Sequence, residues 1–512
     1  MAVVAVSSFV SLLFVALISI YLVASENRDF GGAVFSVNSK FYGNERSLGV
    51  LKAHDSLRFS HLKILASGVD FHIGGIGRLD DVGLYYAKIG IGTPPREYYV
   101  QVDTGCDIMW INCIDCQDCP KKGYHGLDLT LYDRELSLTG KPVMCDEEFC
   151  REINGGTVNG CKANVPCLYT EIYGDGSESI GSFVKDAIQY DSVSDMHTEN
   201  SAGFMDSLVR CGANQTGNLA SSEEAFDGIL GFGKSNSSVV SQLASYGKVK
   251  KMFAHCLDGD NGGGIFAIGH VVQPKVNSTH LIQDEPHYAV NVTGIEVGTE
   301  CLNLSTDSYG RGEKRKAIID SGTTLAYLPK VIYKPLMDKI VEGWSDMISI
   351  LQDQYTCFKF SGSVDYKFPA VTFHFENSLS LKVYPHDYLF VLEDFLCFGW
   401  QNNDIDPVSS SDTIVLGGNH FIIALPTRVA FEAANFDYSD LVLSNKLVLY
   451  DLENQTIGWT EYNCSSSIML RDEATGSVHL VGAHSITSAC SRIIYSPVMF
   501  LLLIALLNLI MS

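Results

Sequence analysis

Basic residues are in short supply. The chain's 36 lysines and arginines are outnumbered by 59 aspartates and glutamates, giving a formal net charge of −23 and a pI near 4.9. A phosphate backbone demands a cationic surface, so nucleic acid is excluded as a partner. The acidity suits a compartment where carboxylates lose charge and self-repulsion falls. No low-complexity tract interrupts an ordinary globular composition of 46% hydrophobic and 19% charged residues. No His-Glu-x-x-His segment occurs, which disfavours a zinc protease. No Gly-x-Ser-x-Gly elbow occurs either, and the 14 histidines form no constellation, so Ser-His-Asp catalysis has no support. Cys113, Cys116 and Cys119 stand at CxxCxxC spacing without a second CxxC pair or a His-x-x-x-His at finger spacing. With a secretory signal upstream, the 15 cysteines read as disulfides rather than as ligands of zinc or an iron–sulfur cluster, and their connectivity stays open. No cofactor is implied.

The 512 residues exceed what one hydrophobic core serves, so two or more lobes are expected. Residues 1–25 read as a signal peptide: an apolar run from Phe9 to Val23 is followed by Ala24-Ser25, which suits cleavage before Glu26. Its first residues lack Lys and Arg, and a short transmembrane anchor is the alternative. Sequons at Asn214, Asn236, Asn277, Asn291, Asn303, Asn454 and Asn463 fit passage through a glycosylating compartment. Residues 26–80 contain a basic patch, Lys52 to Arg58, and no cysteine. They read as a prosegment that covers an acidic site until its carboxylates protonate, or as a plain linker. At the other end, small residues from Ser485 to Ser491 precede a short apolar run, Val498 to Leu507. Residues 468–512 thus read as a stalk and a GPI-attachment signal with Ser488 as the attachment residue; a membrane-spanning tail is the rival.

From Gly83 onward the texture is β-rich. Leu84–Gly92, Tyr98–Val102, Lys316–Ile319, Ala370–Phe375, Leu441–Lys446 and Lys446–Tyr450 read as strands, and Val331–Val341 as one of few helices. The most informative feature is an internal repeat. A strand leads into Asp103-Thr104-Gly105, and about 126 residues later comes Ile229-Leu230-Gly231. A second strand leads into Asp320-Ser321-Gly322-Thr323-Thr324, followed about 95 residues later by Val415-Leu416-Gly417. Two all-β lobes, each offering one aspartate to a shared cleft, are the simplest reading. The plainer alternative, two ordinary turns in which Asp caps backbone amides, leaves the pairing unexplained.

The chemistry follows from the pairing. Gly105 and Gly322 let each turn approach the other closely. The hydroxyls of Thr104 and Ser321 then reach across and hold the carboxylates about one water apart. Two such carboxylates cannot both ionise cheaply, so they share one proton over an acidic window. The ionised partner draws a proton from the trapped water while the neutral one donates to a carbonyl oxygen.

These motifs, with Tyr173-Gly174-Asp175-Gly176-Ser177 and the cysteine-dense stretch 113–167, resemble the pepsin-type aspartic peptidases, and within them the plant membrane-anchored group related to the nepenthesins. The resemblance implies a bilobal pepsin-like fold, with two pseudo-twofold-related β-barrel-like lobes and a cleft between them. It places the lobes at 81–270 and 271–467. It implies an endopeptidase with Asp103 and Asp320 catalytic, and Thr104, Gly105, Ser321, Gly322, Thr323, Tyr173 and Trp110 at the substrate site. Tyr173 would ride on a flap and Trp110 support it. A protein or peptide substrate, a GPI-anchored monomer on the outer face of the plasma membrane, and six disulfides using twelve cysteines are the further implications. Cys106 and Cys301 are surplus to those bridges, and Cys490 falls in the discarded tail.

Three departures from the family stand out. Cys106 occupies the usual place of a Ser whose hydroxyl bonds the catalytic carboxylate, and a thiol is a weaker donor. About 22 extra residues, 418–439, follow Gly417 and include the apolar run Phe421–Pro426. Arg210 stands where relatives carry an apolar residue, which is awkward if buried and unpaired. Two functions are therefore carried forward: an active endopeptidase, and a catalytically impaired module that binds a partner protein through the cleft.

Overall fold

The computed structural model describes residues 68–486, apart from 77–83, 194–200, 221–224, 305–314, 343–349, 353–354, 393–394, 403–412 and 418–441, and the positions 163, 174–175, 248, 324 and 474. Residues 1–25 of the signal-peptide reading, residues 26–67 of the prosegment reading, the 418–439 segment with Phe421–Pro426, Ser488, Cys490 and the run 498–507 lie outside the described residues, as do Gly174, Asp175 and Thr324. Among the described residues, no helix is long and apolar enough to cross a membrane.

Alternating sequence becomes sheet. Arg315–Asp320 buries every second residue strictly, and Arg96–Asp103 runs from exposed Arg96 to a fully buried end. Most expected strands appear within a residue or two: Leu84–Ile91, Arg96–Asp103, Arg315–Asp320, Val371–Phe375 and Lys446–Asp451. The Leu441–Lys446 strand does not form: Val442 and Leu443 lie in a turn and Ser444 makes only an isolated bridge to Leu257. The expected helix is Lys330–Ile340, which turns Ile332, Leu336, Met337 and Ile340 into the core.

The same arrangement occurs twice, as the internal repeat requires. In the first lobe Arg96–Asp103 pairs antiparallel with Leu84–Ile91 and parallel with Gly228–Gly231, setting Asp103 opposite Gly231. Trp110–Asn112 then pairs antiparallel with Gly228–Gly231 and parallel with Ser201–Gln215. In the second lobe Arg315–Asp320 pairs antiparallel with Ala289–Val297 and parallel with Ile414–Gly417, setting Asp320 opposite Gly417. Ala326–Leu328 pairs antiparallel with Ile414–Gly417 and parallel with Trp400–Asn402. Each aspartate thus ends a central strand, beside the glycine that ends its parallel neighbour. Both glycines are compelled: a Cβ on Gly231 would lie 2.7 Å from the Cys106 carbonyl oxygen, and one on Gly417 would lie 2.3 Å from that of Thr323.

Met252–Leu257 and Gly264–Ile268 form a hairpin that pairs with Lys446–Asp451 from near the chain's other end, and the Cys256–Cys464 disulfide fastens the same region. Beneath it lies an aromatic core. Phe253 stacks on Tyr450 with centroids 4.3 Å apart and planes 4° from parallel, while Phe232, Phe266 and Tyr288 close around them. Each such ring contributes about 2–3 kcal/mol by burial.

Both boundary segments form sheet, the first in this one and the second in a separate three-stranded sheet. Gly68–Asp70 pairs with Gly264–Ile268 on one side and Glu178–Val193 on the other, and Ile73–Ile76 pairs with Leu84–Ile91. A removable segment reaching residue 80 therefore includes two sheet strands. Residues from 468, which the sequence assigns to a stalk, belong instead to the Ser467–Arg471 and Val478–Gly482 hairpin. This hairpin pairs with His270–Gln273 and buries Ile468, Leu470 and Val481. Among the described residues, twelve cysteines form six disulfides, 113–211, 116–119, 145–161, 150–167, 256–464 and 357–397, leaving Cys106 buried and Cys301 exposed as thiols.

Candidate active site

The two acidic turns meet face to face. The Thr104 N–H donates to Ser321 Oγ at 3.1 Å, and the Ser321 N–H donates back to Thr104 Oγ1 at 2.8 Å. Ser321 Oγ in turn donates to the Val102 carbonyl at 3.4 Å. This reciprocal lock is buried: Thr104 is 1% exposed and Ser321 fully enclosed. It brings each carboxyl against the opposite glycine. A Cβ placed on Gly322 would sit 2.1 Å from Asp103 Oδ1, and one on Gly105 would sit 2.7 Å from Asp320 Oδ2. Neither turn tolerates a side chain there without displacing a carboxyl.

Within each turn the backbone holds its own aspartate. Gly105 and Cys106 N–H groups donate to Asp103 Oδ1 at 2.7 and 3.0 Å, and the Gly322 N–H donates to Asp320 Oδ1 at 2.8 Å. The outer oxygens differ. Thr323 Oγ1 donates to Asp320 Oδ2 at 2.7 Å, whereas the Cys106 thiol contacts the Ile108 carbonyl oxygen at 3.4 Å and the Tyr173 hydroxyl at 3.7 Å. Burial and, next, the charge of Asp320 hold the Asp103 carboxyl well above the ordinary carboxylate range, with the two backbone donors opposing them. A proton is therefore retained between the pair where isolated aspartates would have lost theirs.

Tyr173 begins the turn between Leu168–Ile172 and Glu178–Val193, which are paired from Leu168 opposite Ser182 to Ile172 opposite Glu178. The Tyr173 N–H donates to the Ser177 carbonyl and the Gly176 N–H to that of Tyr173, both at 2.9 Å, with Gly176 at φ +79°. Trp110 Nε1 donates to the Tyr173 hydroxyl at 2.6 Å. The hairpin tip is thereby tied to the strand that follows the Asp103 turn, and the site residues named from the sequence converge on one place.

Residues 85–270 match the family described as Xylanase inhibitor N-terminal, and residues 287–425 match Xylanase inhibitor C-terminal. The chain is 44% identical over 474 residues to Aspartic proteinase 36 of Arabidopsis thaliana, covering 92% of each chain. It is 43% identical over 457 residues to Aspartic proteinase 39 of the same plant, covering 89% of this chain and 90% of that one. The chain belongs to the pepsin-type aspartic proteinases. Similarity to solved structures bears on the fold alone. Soybean basic 7S globulin superposes with a TM-score of 0.56 at 17% identity, over 77% of this chain and 95% of that one. Lupine conglutin gamma superposes with a TM-score of 0.57 over the same shares.

Against that family background, the surroundings of Asp103 contain features that sequence reasoning anticipated only in part. Arg210 is buried, as feared, but not unpaired: Nη1 meets Glu171 Oε2 at 2.5 Å, and the guanidinium lies 4.9 Å from the Tyr169 ring centroid. Glu171 was not anticipated; its partner is 39 residues away in sequence but neighbours it across the sheet. Burial, and then Asp103, push the Cys106 thiol up, so this proteinase keeps it protonated. His255 Nε2 lies 3.1 Å from the Tyr450 hydroxyl. No local motif marked either residue. Of the sequons, Asn291 is half-buried and donates to Glu376 Oε2 at 3.2 Å, while the other six asparagines are exposed.

Proposed function

We propose that this proteinase is an endopeptidase that hydrolyses peptide bonds in acid, using a water held between Asp103 and Asp320. The supporting observation is the reciprocal Thr104–Ser321 lock, which presses two carboxyls against each other's turns at a cleft edged by Tyr173. The pair carries one proton. The ionised carboxyl takes a proton from the water as oxygen attacks the scissile carbonyl, and the protonated carboxyl donates to the developing oxyanion. A proton then passes to the leaving amine and the pair is restored. Tyr173 on its hairpin closes over the peptide, and Trp110 holds Tyr173. Gly105, Gly322 and Thr323 keep both carboxyls in register with the substrate.

The thiol at Cys106 leaves the outer oxygen of Asp103 without the donor that Thr323 supplies to Asp320, which favours a lower rate than in relatives bearing a hydroxyl there. Carried to its limit, that observation supports the second reading, a module that binds a protein partner without turnover. Anchoring at the outer cell surface through a lipid near Ser488 belongs to the same proposal and rests on the small-residue patch and apolar run that follow the body.

Incubation with a denatured protein at about pH 4 tests the reading. Cleavage that pepstatin stops and that Asp103→Asn abolishes is expected. A correctly folded protein with no cleavage above that of Asp103→Asn would leave the binding module. Release from intact cells by a phosphatidylinositol-specific phospholipase tests the anchor.

A further inference from the structure

Remote from the paired aspartates, three metal-ligating side chains from opposite ends of the body converge. Asp70 ends the first described strand, His72 lies in the link to the Ile73–Ile76 strand, and His484 follows the Val478–Gly482 strand. His484 Nε2 lies 2.7 Å from Asp70 Oδ2, across 414 positions of sequence. The His72 and His484 rings stack with centroids 3.7 Å apart and planes 14° from parallel. One donor atom from each of the three lies within 4.8 Å of the others.

We propose that Asp70, His72 and His484 form a site for a divalent transition-metal cation of the zinc class. Two imidazoles and a carboxylate are a donor set that zinc favours, and three protein ligands leave a fourth position for water. The backbone beneath is already fixed. Asp70 stands opposite Ala267 and Asp191 in the sheet, and His484 exchanges both backbone hydrogen bonds with Gly264, at 2.7 and 2.8 Å. Asp70 is 4% exposed, so its carboxyl is held in place, while both histidines reach solvent and give an ion its path of access. Ligands held about 2.0–2.1 Å from a tetrahedral zinc stand about 3.3 Å apart. The Nε2–Oδ2 pair therefore opens by roughly half an ångström as the ion takes the place of the proton between them, and the neutral imidazole carries its one proton on Nδ1 instead. A nitrogen of His72 swings in as third ligand. The consequence is a clasp: an ion here joins residues 70–72 to residue 484 and opposes withdrawal of the Gly68–Asp70 strand from between its neighbours.

The test uses the full chain, purified, stripped with chelator and titrated with zinc chloride at about pH 7.5, where histidines are neutral. A Cys301→Ser background removes the exposed thiol as a competing ligand. One equivalent of zinc is expected to bind and to raise the thermal midpoint. His72→Ala and His484→Ala should each weaken binding by about tenfold or more and abolish the midpoint shift, and cobalt should give a visible d–d band that both variants lose. His72 reaches solvent, so its removal leaves the fold intact as a control. No saturable binding in the parent, or binding equally strong in the His72→Ala/His484→Ala double variant, would show a hydrogen-bonded histidine stack and overturn the proposal.

Discussion

At the scale of single residues, the asymmetry between the two turns has a measurable consequence. Thr323 supplies a hydroxyl to Asp320 Oδ2 at 2.7 Å, and Cys106 supplies nothing equivalent to Asp103. A hydroxyl at position 106 would add a charge-assisted donor worth about 1–2 kcal/mol in the ionised state. Cys106→Ser is therefore expected to raise kcat/KM by about tenfold. It should also move the basic limb of the pH–rate profile to lower pH, because a donor stabilises the carboxylate. Cys106→Ala should do neither; an identical profile in the Ser and Ala variants would show that the thiol's place is neutral. The glycines make the opposite case. Since a Cβ on Gly322 lands 2.1 Å from Asp103 Oδ1, Gly322→Ala must displace one carboxyl and should lower kcat by at least about a hundredfold. Unchanged far-ultraviolet dichroism would show that the fold survives, and a mild loss in kcat would mean the turns can yield.

The Tyr173 hairpin is the element whose stability bears most directly on that site. Glu171 lies on its first strand, and Arg210, on the adjoining Ser201–Gln215 strand, is only 9% exposed. Glu171→Gln leaves a guanidinium enclosed without its counter-charge, at a cost of about 1–3 kcal/mol after allowance for the partly exposed carboxylate. The Glu171→Gln/Arg210→Met pair should recover most of the lost thermal midpoint, since it removes the charge that lacked a partner. A double variant no more stable than the single one would show that packing of Arg210 against Tyr169 matters more than its charge. Glu171 also illustrates what sequence can and cannot convey. The Asp-Thr-Gly and Asp-Ser-Gly turns were legible because the residues that do the chemistry are adjacent in sequence. Arg315–Asp320 was legible because burial on one face imposes alternation. Glu171–Arg210 and His255–Tyr450 are contacts between distant strands, and nothing local distinguishes Tyr450 from any other tyrosine in an apolar run. Gly68–Asp70 escaped for a related reason: it is short, and its pairing partners are far along the chain.

At the scale of the whole molecule, buried ionisable groups set opposing demands on pH. Burial raises Asp227, which accepts from the Tyr99 N–H at 2.7 Å, to about 6, and Asp103 is likewise raised. The folded state then binds more protons than the unfolded chain between the ordinary carboxylate range and those raised values. Stability from these groups is present in acid and falls as pH rises through that window. His255 acts the other way. Fully enclosed between Phe266 and Tyr450, it is lowered by burial to about 3. Unfolding therefore takes up a proton below the ordinary imidazole pKa, and the stability His255 permits at neutral pH is lost as pH falls from about 6.5 toward 3. His255, in contact with Tyr450, is thus a buried group whose contribution to stability acid removes. His255→Phe removes that group while keeping an aromatic ring in the core. It forfeits the hydrogen bond to Tyr450, a loss that is the same at every pH. Relative to the parent, its thermal midpoint should therefore be lowest near neutrality and should recover by several degrees between pH 7 and pH 4. Asp103→Asn should do the reverse, gaining most near neutrality, where keeping Asp103 protonated costs the parent most. Calorimetric midpoints across that range for the three proteins decide the matter: curves displaced in parallel would mean that His255 and Asp103 do not set the pH dependence of folding, whereas curves that converge in acid for His255→Phe and diverge toward neutrality for Asp103→Asn assign it to them.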